Sequence, residues 1–434
     1  MDFFERRDGV LHADGADLRD IARAVGTPTY VYSAATLARH VRVMSEALDP
    51  LPHLLCYAVK ANGNLALLEL LHEAGCGFDA VSIGELARVW RAGGSMANTI
   101  LSGVGKREDE IEGALRAGCR YVCIESAPEL DTVISVAKRL GVQAPVTVRV
   151  NPDVDAQTHP YISTGLRENK FGVPSEEASA LYDRGNANEH IAMVGLSCHI
   201  GSQITTLDPF LDAAKRVAEL AVSLRNAGAP LEHVGMGGGL GIPYGDEAPP
   251  PPARYGEALK SLLGGLGLTL VLEPGRVIVG NAGILLTRAI RLKRHGEHHF
   301  AIVDAGMNDL LRPALYQAHH AIVPVEGEDA SSERYDVVGP VCESADTFGK
   351  QTVLPELAEG DLLALRSAGA YSFVMASNYN GRPRPAEVLC RDGEWHVVRA
   401  RETLNDLYRG ERHLDGRPAD LTTIPGFLSQ ERDS

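Results

Sequence analysis

Lys60 closes an apolar run, Cys56-Tyr57-Ala58-Val59-Lys60. A lysine ordinarily keeps its proton up to a pKa of about 10.4, so one at the mouth of a buried strand either reaches back to solvent or has its basicity tuned for imine formation with an aldehyde. Three later stretches favour imine chemistry: His199-Ile200-Gly201-Ser202-Gln203, Gly237-Gly238-Gly239-Leu240-Gly241 and Glu273-Pro274-Gly275-Arg276. Consecutive glycines let backbone amides approach and surround an anion, and Arg276 adds charge beside them. The imidazole of His199 offers a flat face to a planar ring. A carboxylate at Glu273, set beside a ring nitrogen, keeps that nitrogen protonated and strengthens an electron sink. A lysine for an aldehyde, a cradle for a phosphate and an acid for a ring nitrogen together describe pyridoxal 5'-phosphate. No glycine falls three residues after Gly239, so the run lacks the dinucleotide spacing and a nicotinamide fingerprint is rejected.

These residues need a scaffold that brings them to one place. Eight β-rich runs alternate with helix-compatible stretches: Leu54 to Lys60, Gly77 to Ser82, Asn98 to Ser102, Tyr121 to Glu125, Pro145 to Val150, Val194 to His199, His233 to Gly237 and Thr269 to Glu273. Between them, segments such as Leu65 to Glu73 and Ile83 to Arg91 place apolar residues three and four apart, as helices packed on a sheet require. The alternation predicts parallel strands with crossover helices, closed into a (β/α)8 barrel, with a doubly wound open sheet as the other solution. Barrel sites lie at the C-terminal ends of the strands, with phosphates often bound after strands seven and eight. The glycine run and the Glu273 to Arg276 turn follow the seventh and eighth runs.

Beyond Arg276 the texture changes to strand-like runs separated by turn residues: Leu286 to Lys293, His299 to Asp304, Ala321 to Val325, Tyr335 to Val338, Leu362 to Arg366, Tyr371 to Met375 and Trp395 to Val398. These predict a second, mostly antiparallel β domain. The first 30 or so residues, with a turn at Asp14-Gly15 and a strand-like Thr29-Tyr30-Val31-Tyr32, suit that domain too. The expected division is a barrel over 34–275, with 1–33 and 276–434 forming the β domain. Pro249 to Pro252 read as a stiff loop inside the barrel.

Composition narrows the partners. At 434 residues the chain exceeds one ordinary core, and its net charge of −15 argues against nucleic acid or anionic membrane. The N-terminus lacks a secretory pattern and no apolar stretch approaches the roughly 20 residues of a membrane span, so a soluble, cytoplasmic protein is expected. The seven cysteines show no metal-site spacing, and no metal is expected. Cys342 differs from the rest in its polar, turn-like setting, Gly339-Pro340-Val341-Cys342-Glu343-Ser344, where a thiol could react.

The chain resembles the alanine-racemase-like, fold type III pyridoxal-phosphate decarboxylases, and among them the diaminopimelate decarboxylases, over nearly its whole length. The most specific stretch is Asp304-Ala305-Gly306-Met307-Asn308-Asp309-Leu310-Leu311-Arg312-Pro313-Ala314-Leu315-Tyr316, joined by Cys342-Glu343-Ser344 and Gly369-Ala370-Tyr371 in the expected order. The resemblance implies that Lys60 binds the cofactor aldehyde, His199 stacks on the ring and Glu273 faces its nitrogen. It implies that Ser202, Gly239, the Gly275-Arg276 turn and Tyr371 serve the phosphate. Arg276, Arg312, Tyr316, Glu343 and Tyr371 match substrate-holding positions, and Cys342 matches the general acid. It further implies a homodimer in which Cys342 and Glu343 reach the neighbouring subunit's site, and attack at a centre of D configuration. A small departure is Glu168-Asn169 before Lys170-Phe171-Gly172, where serine is more usual.

Side-chain chemistry supports the same substrate. Guanidinium groups pair bidentately with carboxylates, so Arg276 and Arg312 suit the far carboxylate of a long substrate, while Glu343 suits its far ammonium. Meso-diaminopimelate carries an amino-acid head at each end. Ornithine has a far ammonium and no far carboxylate. The expectation is decarboxylation of meso-diaminopimelate to L-lysine. The alternatives are a decarboxylase of ornithine, arginine or a modified amino acid, a non-catalytic pyridoxal-phosphate carrier, which would need none of Arg312, Cys342 and Tyr371, and a lysine-imine aldolase, which would leave Glu273 idle.

Overall fold

A computed structural model describes residues 2–155, 169–327 and 333–419; Glu168 and the chain beyond 419 lie outside the described residues. Eight parallel strands form a closed barrel: β1 (His53–Ala58), β2 (Gly77–Ala80), β3 (Thr99–Leu101), β4 (Tyr121–Ile124), β5 (Ala144–Asn151), β6 (Ile191–Cys198), β7 (His233–Gly235) and β8 (Thr269–Leu272). Neighbours pair in chain order, and β8 closes on β1 with Leu270 opposite His53 and Leu272 opposite Leu55. The open sheet is excluded. Every run expected as a barrel strand is one, with ends moved by a few residues.

Local chemistry explains the alternation. β2, β3, β4 and β7 are buried at every position, as strands between an inner core and an outer helix layer must be. Three strand exits meet a side-chain cap. The Asn64 side chain accepts from Ala66 N to start Leu65–Glu73, Ser82 accepts from Glu85 N to start Ile83–Arg91, and Ser126 accepts from Glu129 N to start Ala127–Leu140. Leu67, Leu68 and Leu71 turn the first of these helices onto the barrel and are essentially inaccessible, each burial worth about 1.5–3 kcal/mol. In the loop before Pro252–Leu263, Pro249 to Pro251 stay outside the helix while Pro252 enters its first turn, where a missing N–H costs nothing.

The second sheet is organised around the long strand Gly283–His295. It pairs antiparallel with His298–Val303, with Leu362–Leu365 and with Thr29–Ser33. Thr29–Ser33 pairs on its other side, parallel, with Ala386–Arg391. Residues 4–17 make a separate three-stranded meander that turns at Asp14 and Gly15, both at positive φ (50° and 87°). The strands Thr347–Leu354 and Ala386–Arg391 were not expected from the sequence. Conversely, Tyr371 to Met375 is no strand. Tyr371 sits at φ 55° and donates its N–H to Ala61 O at 2.8 Å, tying this segment to the barrel, and Phe373–Met375 coil into a 3-10 turn. The alternation read there as a strand is the burial of single side chains by a bent backbone, with the Phe373 ring 5.8 Å from that of Tyr30.

Among the described residues no helix is long and apolar enough to cross a membrane, and no group of three His, Cys, Asp or Glu could hold a metal ion.

Candidate active site

Lys60, His199 and Glu273 converge at the C-terminal mouth of the barrel because each sits just past a strand end. β1 stops at Ala58, and Lys60 lies in the 3-10 turn Val59–Ala61 that follows. β6 stops at Cys198 and β8 at Leu272, one residue before His199 and Glu273. Lys60, His199 and Glu273 line one cavity of about 300 Å³, together with Arg149, Phe171, Cys123, Ser197 and others. Lys60 and His199 also line a second cavity of about 430 Å³ that contains Ser202, Tyr244, Arg276, Arg312, Tyr316 and Tyr371. The lysine and the imidazole therefore stand between two chambers.

Lys60 is positioned by Asp79 on β2. Its Nζ donates to Asp79 Oδ2 at 3.0 Å, while Asp79 is wholly buried and its Oδ1 has no partner. Burial opposes the ammonium charge, but the fields of Asp79, Tyr371 and Glu273, with the Asp79 hydrogen bond, outweigh it and hold Lys60 above its ordinary value. The 40% of the side chain that is accessible faces the chambers, so the amine can be reached by a small molecule while remaining enclosed by protein.

Glu273 is pushed the other way. Burial, reinforced by Asp79, raises its carboxyl, against the pull of Lys60 and Arg149, so it keeps a proton near neutrality. Its backbone is fixed by a 2.7 Å bond from its N–H to Gly237 O. Burial drives His199 well below its ordinary value, with Arg149 and Lys60 adding to the effect, so the ring is neutral. Gly238 N–H donates to His199 Nδ1 at 3.1 Å, which leaves the ring proton on Nε2.

The glycine run has a packing requirement of its own. Gly237 and Gly239 adopt φ 63° and 101°. A Cβ on Gly238 would stand 2.3 Å from Glu273 O, and one on Gly239 2.3 Å from Gly201 O. These positions must be glycine for the β7 exit to lie between the β6 and β8 exits. The Gly238 amide is already committed to His199, so the anion cradle expected from the whole run is narrower than three free amides. Gly275 is equally confined, its absent Cβ facing Ala61 Cβ at 3.1 Å and Tyr371 Oη at 3.3 Å.

In the larger chamber Arg276, from the short helix Arg276–Val279, donates through Nη1 to Tyr244 Oη at 2.6 Å and through Nη2 to Ser202 Oγ at 3.0 Å. Its Nε is buried without a partner. Its guanidinium carbon lies 4.9 Å from the Tyr371 ring centre. Arg312 opens the helix Arg312–Tyr316 and lies 4.6 Å over the ring of Tyr244. Tyr316, at the end of that helix, lines the same wall.

Cys342 and Glu343 are not brought to either chamber by their own chain. Cys342 is the exposed thiol, the other six cysteines being buried. It sits in a turn whose backbone is held by Asp346, and its N–H donates to Asn380 Oδ1 at 3.2 Å, while Glu343 accepts from Tyr379 Oη at 2.9 Å.

Sequence reasoning missed Asp79, Arg149 and Tyr244. Asp79 had a signal, since a carboxylate inside the apolar run Gly77-Phe78-Asp79-Ala80 must be paired. Arg149 sits in the same way in β5, where it pairs with Glu125 at 3.0 Å and lines the cavity of Glu273. Tyr244 follows the glycine run directly in Gly241-Ile242-Pro243-Tyr244.

Comparisons with known proteins place the chain among pyridoxal-dependent decarboxylases. Residues 34–280 match the family model described as "Pyridoxal-dependent decarboxylase, pyridoxal binding domain". A diaminopimelate decarboxylase from Pseudomonas aeruginosa is 54% identical over 415 residues, spanning 95% of this chain and all of that protein. The crystal structure of diaminopimelate decarboxylase from Helicobacter pylori complexed with L-lysine superposes with a TM-score of 0.88 at 42% identity, over 91% of this chain and 98% of that one. The enzyme from M. jannaschii, also in complex with L-lysine, gives a TM-score of 0.91 at 35% identity over 96% and 100% of the two chains. The residues present suit pyridoxal phosphate. A buried, proton-bearing Glu273 calls for a basic nitrogen opposite it, a neutral His199 offers a flat face, and the unpartnered Arg276 Nε beside Ser202 suits an anion.

Proposed function

The chain belongs to the pyridoxal-dependent decarboxylases, and from that membership we propose that it converts meso-2,6-diaminopimelate to L-lysine and carbon dioxide, the last step in making lysine. The observation that carries the substrate choice is the pair Arg276 and Arg312 in the chamber next to Lys60, both buried and both without a carboxylate of the protein among the described residues. Such a pair suits a substrate that brings its own distal carboxylate.

In this reading Lys60 holds the cofactor aldehyde, His199 covers the ring, and Glu273 faces the ring nitrogen. Ser202, Gly239, Tyr371 and the backbone of the Gly275-Arg276 turn hold the phosphate, which leaves the Arg276 guanidinium to the substrate. Bound there, pyridoxal phosphate supplies a protonated ring that accepts the electron pair left when carbon dioxide departs. Glu273 keeps the proton at the ring nitrogen, which its buried carboxyl is suited to share. Asp79 holds Lys60 Nζ within the mouth, ready to return when product leaves. Arg276 and Arg312 grip the distal carboxylate, Tyr316 and Tyr371 complete the substrate wall, and Glu343 takes the distal ammonium. Cys342 Sγ delivers a proton to the carbon that lost carbon dioxide.

The last two roles require a second copy of the chain. A homodimer that shares its sites is supported by the exposed Cys342–Glu343 turn, which lines neither chamber of its own subunit. On the same reading 34–275 is the cofactor-binding unit, and 1–33 with 276–434 is the unit that contributes substrate and interface residues. Seven unpaired cysteines suit a reducing compartment, which supports the cytoplasm.

The test is an assay of the purified, cofactor-loaded protein for carbon dioxide and lysine from meso-diaminopimelate, with ornithine and arginine alongside. Lysine from diaminopimelate and no amine from the other two is the expected result. Bound cofactor with no product from diaminopimelate would overturn the assignment.

A further inference from the structure

Arg276 and Arg312 are 6% and 5% exposed, and they share one chamber wall. Two buried like charges repel, and a buried cation is ordinarily neutralised by a carboxylate. Burial does lower Arg312, with Arg276 adding to the effect. Yet among the described residues neither guanidinium forms an ion pair. The acid of the same wall, Glu247, has Oε2 committed to the N–H groups of Tyr244 at 3.0 Å and Gly245 at 2.6 Å.

Uncharged groups do the work instead. Tyr244 meets both arginines: its hydroxyl accepts from Arg276 Nη1 at 2.6 Å, and its ring face lies under Arg312, 4.6 Å away. The negative face of an aromatic ring attracts a guanidinium without cancelling its formal charge. His320 holds the other side of Arg312. It is 1% exposed and its Nδ1 donates to Arg366 O at 2.8 Å, which fixes the tautomer and turns the lone pair of Nε2 onto Arg312 Nη1 at 3.0 Å. The two aromatic side chains also meet each other edge to face, with ring centres 5.4 Å apart.

We propose that Tyr244 and His320 are positioning residues that set substrate specificity: they hold Arg276 and Arg312 apart and aimed while supplying no negative charge, so that the pair's charge stays available for a distal carboxylate. The inference rests on the proposed function, because it takes the arginine pair as the substrate's anchor. A carboxylate at either position would hold the arginines equally well and would abolish their selectivity.

The test uses cofactor-loaded protein and two ligands that differ by one carboxylate, L-lysine and cadaverine, with binding measured by calorimetry. Tyr244→Phe keeps the ring under Arg312 and removes the acceptor of Arg276. His320→Leu removes the acceptor of Arg312, and His320→Gln returns an amide oxygen near the place of Nε2. Loss of one hydrogen bond to a charged group corresponds to about tenfold or more in affinity. The expected result is that L-lysine binds Tyr244→Phe and His320→Leu about tenfold more weakly or worse, that cadaverine binding is unchanged, and that His320→Gln recovers most of the loss. The KM for meso-diaminopimelate should rise with kcat and the cofactor's visible absorbance nearly constant. Equal weakening of both ligands would make the two residues general supports of the fold and overturn the inference, as would no weakening of either. A wild-type protein that discriminates L-lysine from cadaverine through these residues but releases no lysine from diaminopimelate would refute the function and leave this inference standing.

Discussion

Replacing Glu273 by glutamine removes a buried acid at nearly constant shape, and its effect on the cofactor-free protein can be worked out in sign and size. The Glu273 carboxyl is wholly enclosed, and burial followed by the field of Asp79 pushes it from an ordinary 4.5 up to about 8. Between those values the folded chain retains a proton that the unfolded chain has lost, so stability falls as pH rises through the window. The slope is at most about 1.4 kcal/mol per pH unit, and it integrates to an upper bound of about 5 kcal/mol, reduced by the coupling of Glu273 to Asp79 and Lys60. Glutamine has no such slope. In a chain of this length roughly 1 °C of melting temperature corresponds to 1 kcal/mol. Melting curves of cofactor-free wild type and Glu273→Gln should therefore diverge from pH 5 to pH 9, the variant gaining up to about 5 °C relative to wild type at the alkaline end. Loading wild type with pyridoxal phosphate should flatten its curve, because a basic ring nitrogen shares the proton. Parallel curves for the two cofactor-free proteins across the whole range would refute the buried-acid argument and with it the role of Glu273.

Lys60→Ala should abolish turnover and the visible absorbance of the bound cofactor imine, read directly by spectrophotometry. Cys342→Ala should retain that absorbance while turning over far more slowly, and a normal rate would remove Cys342 as the proton donor. Mixing and reassociating Lys60→Ala with Cys342→Ala chains should restore about a quarter of wild-type activity, since half the random dimers are mixed and each of those carries one intact shared site. No recovery would place both residues in one subunit's site. Asp79→Asn withdraws the strongest field raising Lys60 and leaves burial to lower it, so cofactor uptake by the cofactor-free protein should extend to lower pH. An unshifted uptake profile would show that Asp79 does not set the basicity of Lys60.

The barrel was legible because parallel strands buried on both faces read as short apolar runs, and the polar residue after each run is either a helix cap, as at Ser82, or a mouth residue, as at Lys60 and Glu273. The second sheet was less legible for two opposite reasons. Thr347–Leu354 is largely solvent-facing and carries Lys350 and Gln351, so its sequence lacks an apolar face. Ala386–Arg391 is mostly buried, but its Glu387 disguises it: that carboxylate is wholly enclosed and bonded by Tyr32, Asn64 and Arg399 from three other elements. Arg399 is the cross-strand neighbour, but no local pattern reveals Tyr32 and Asn64, more than 300 residues away along the chain. The site followed the same rule. Groups defined by a motif, such as His199 and Arg276, could be named in advance. Tyr244 and His320, which matter through what they touch, could not.

The pairing of Thr29–Ser33 with Gly283–His295 and Ala386–Arg391 places the whole barrel between a strand and its neighbours. On the ribosome that strand emerges before the barrel and stays unsatisfied until the barrel and much of the second sheet have been made. A barrel is built of contacts between successive units and can condense as it emerges, whereas the outer sheet waits for a loop of that length to close. An edge strand left open for so long is a template for the wrong partner. The arrangement thus ties assembly of the substrate-facing half to prior completion of the barrel, and it marks the interval after barrel closure as the one in which a chaperone, or a slowed ribosome, would most raise the yield of native protein.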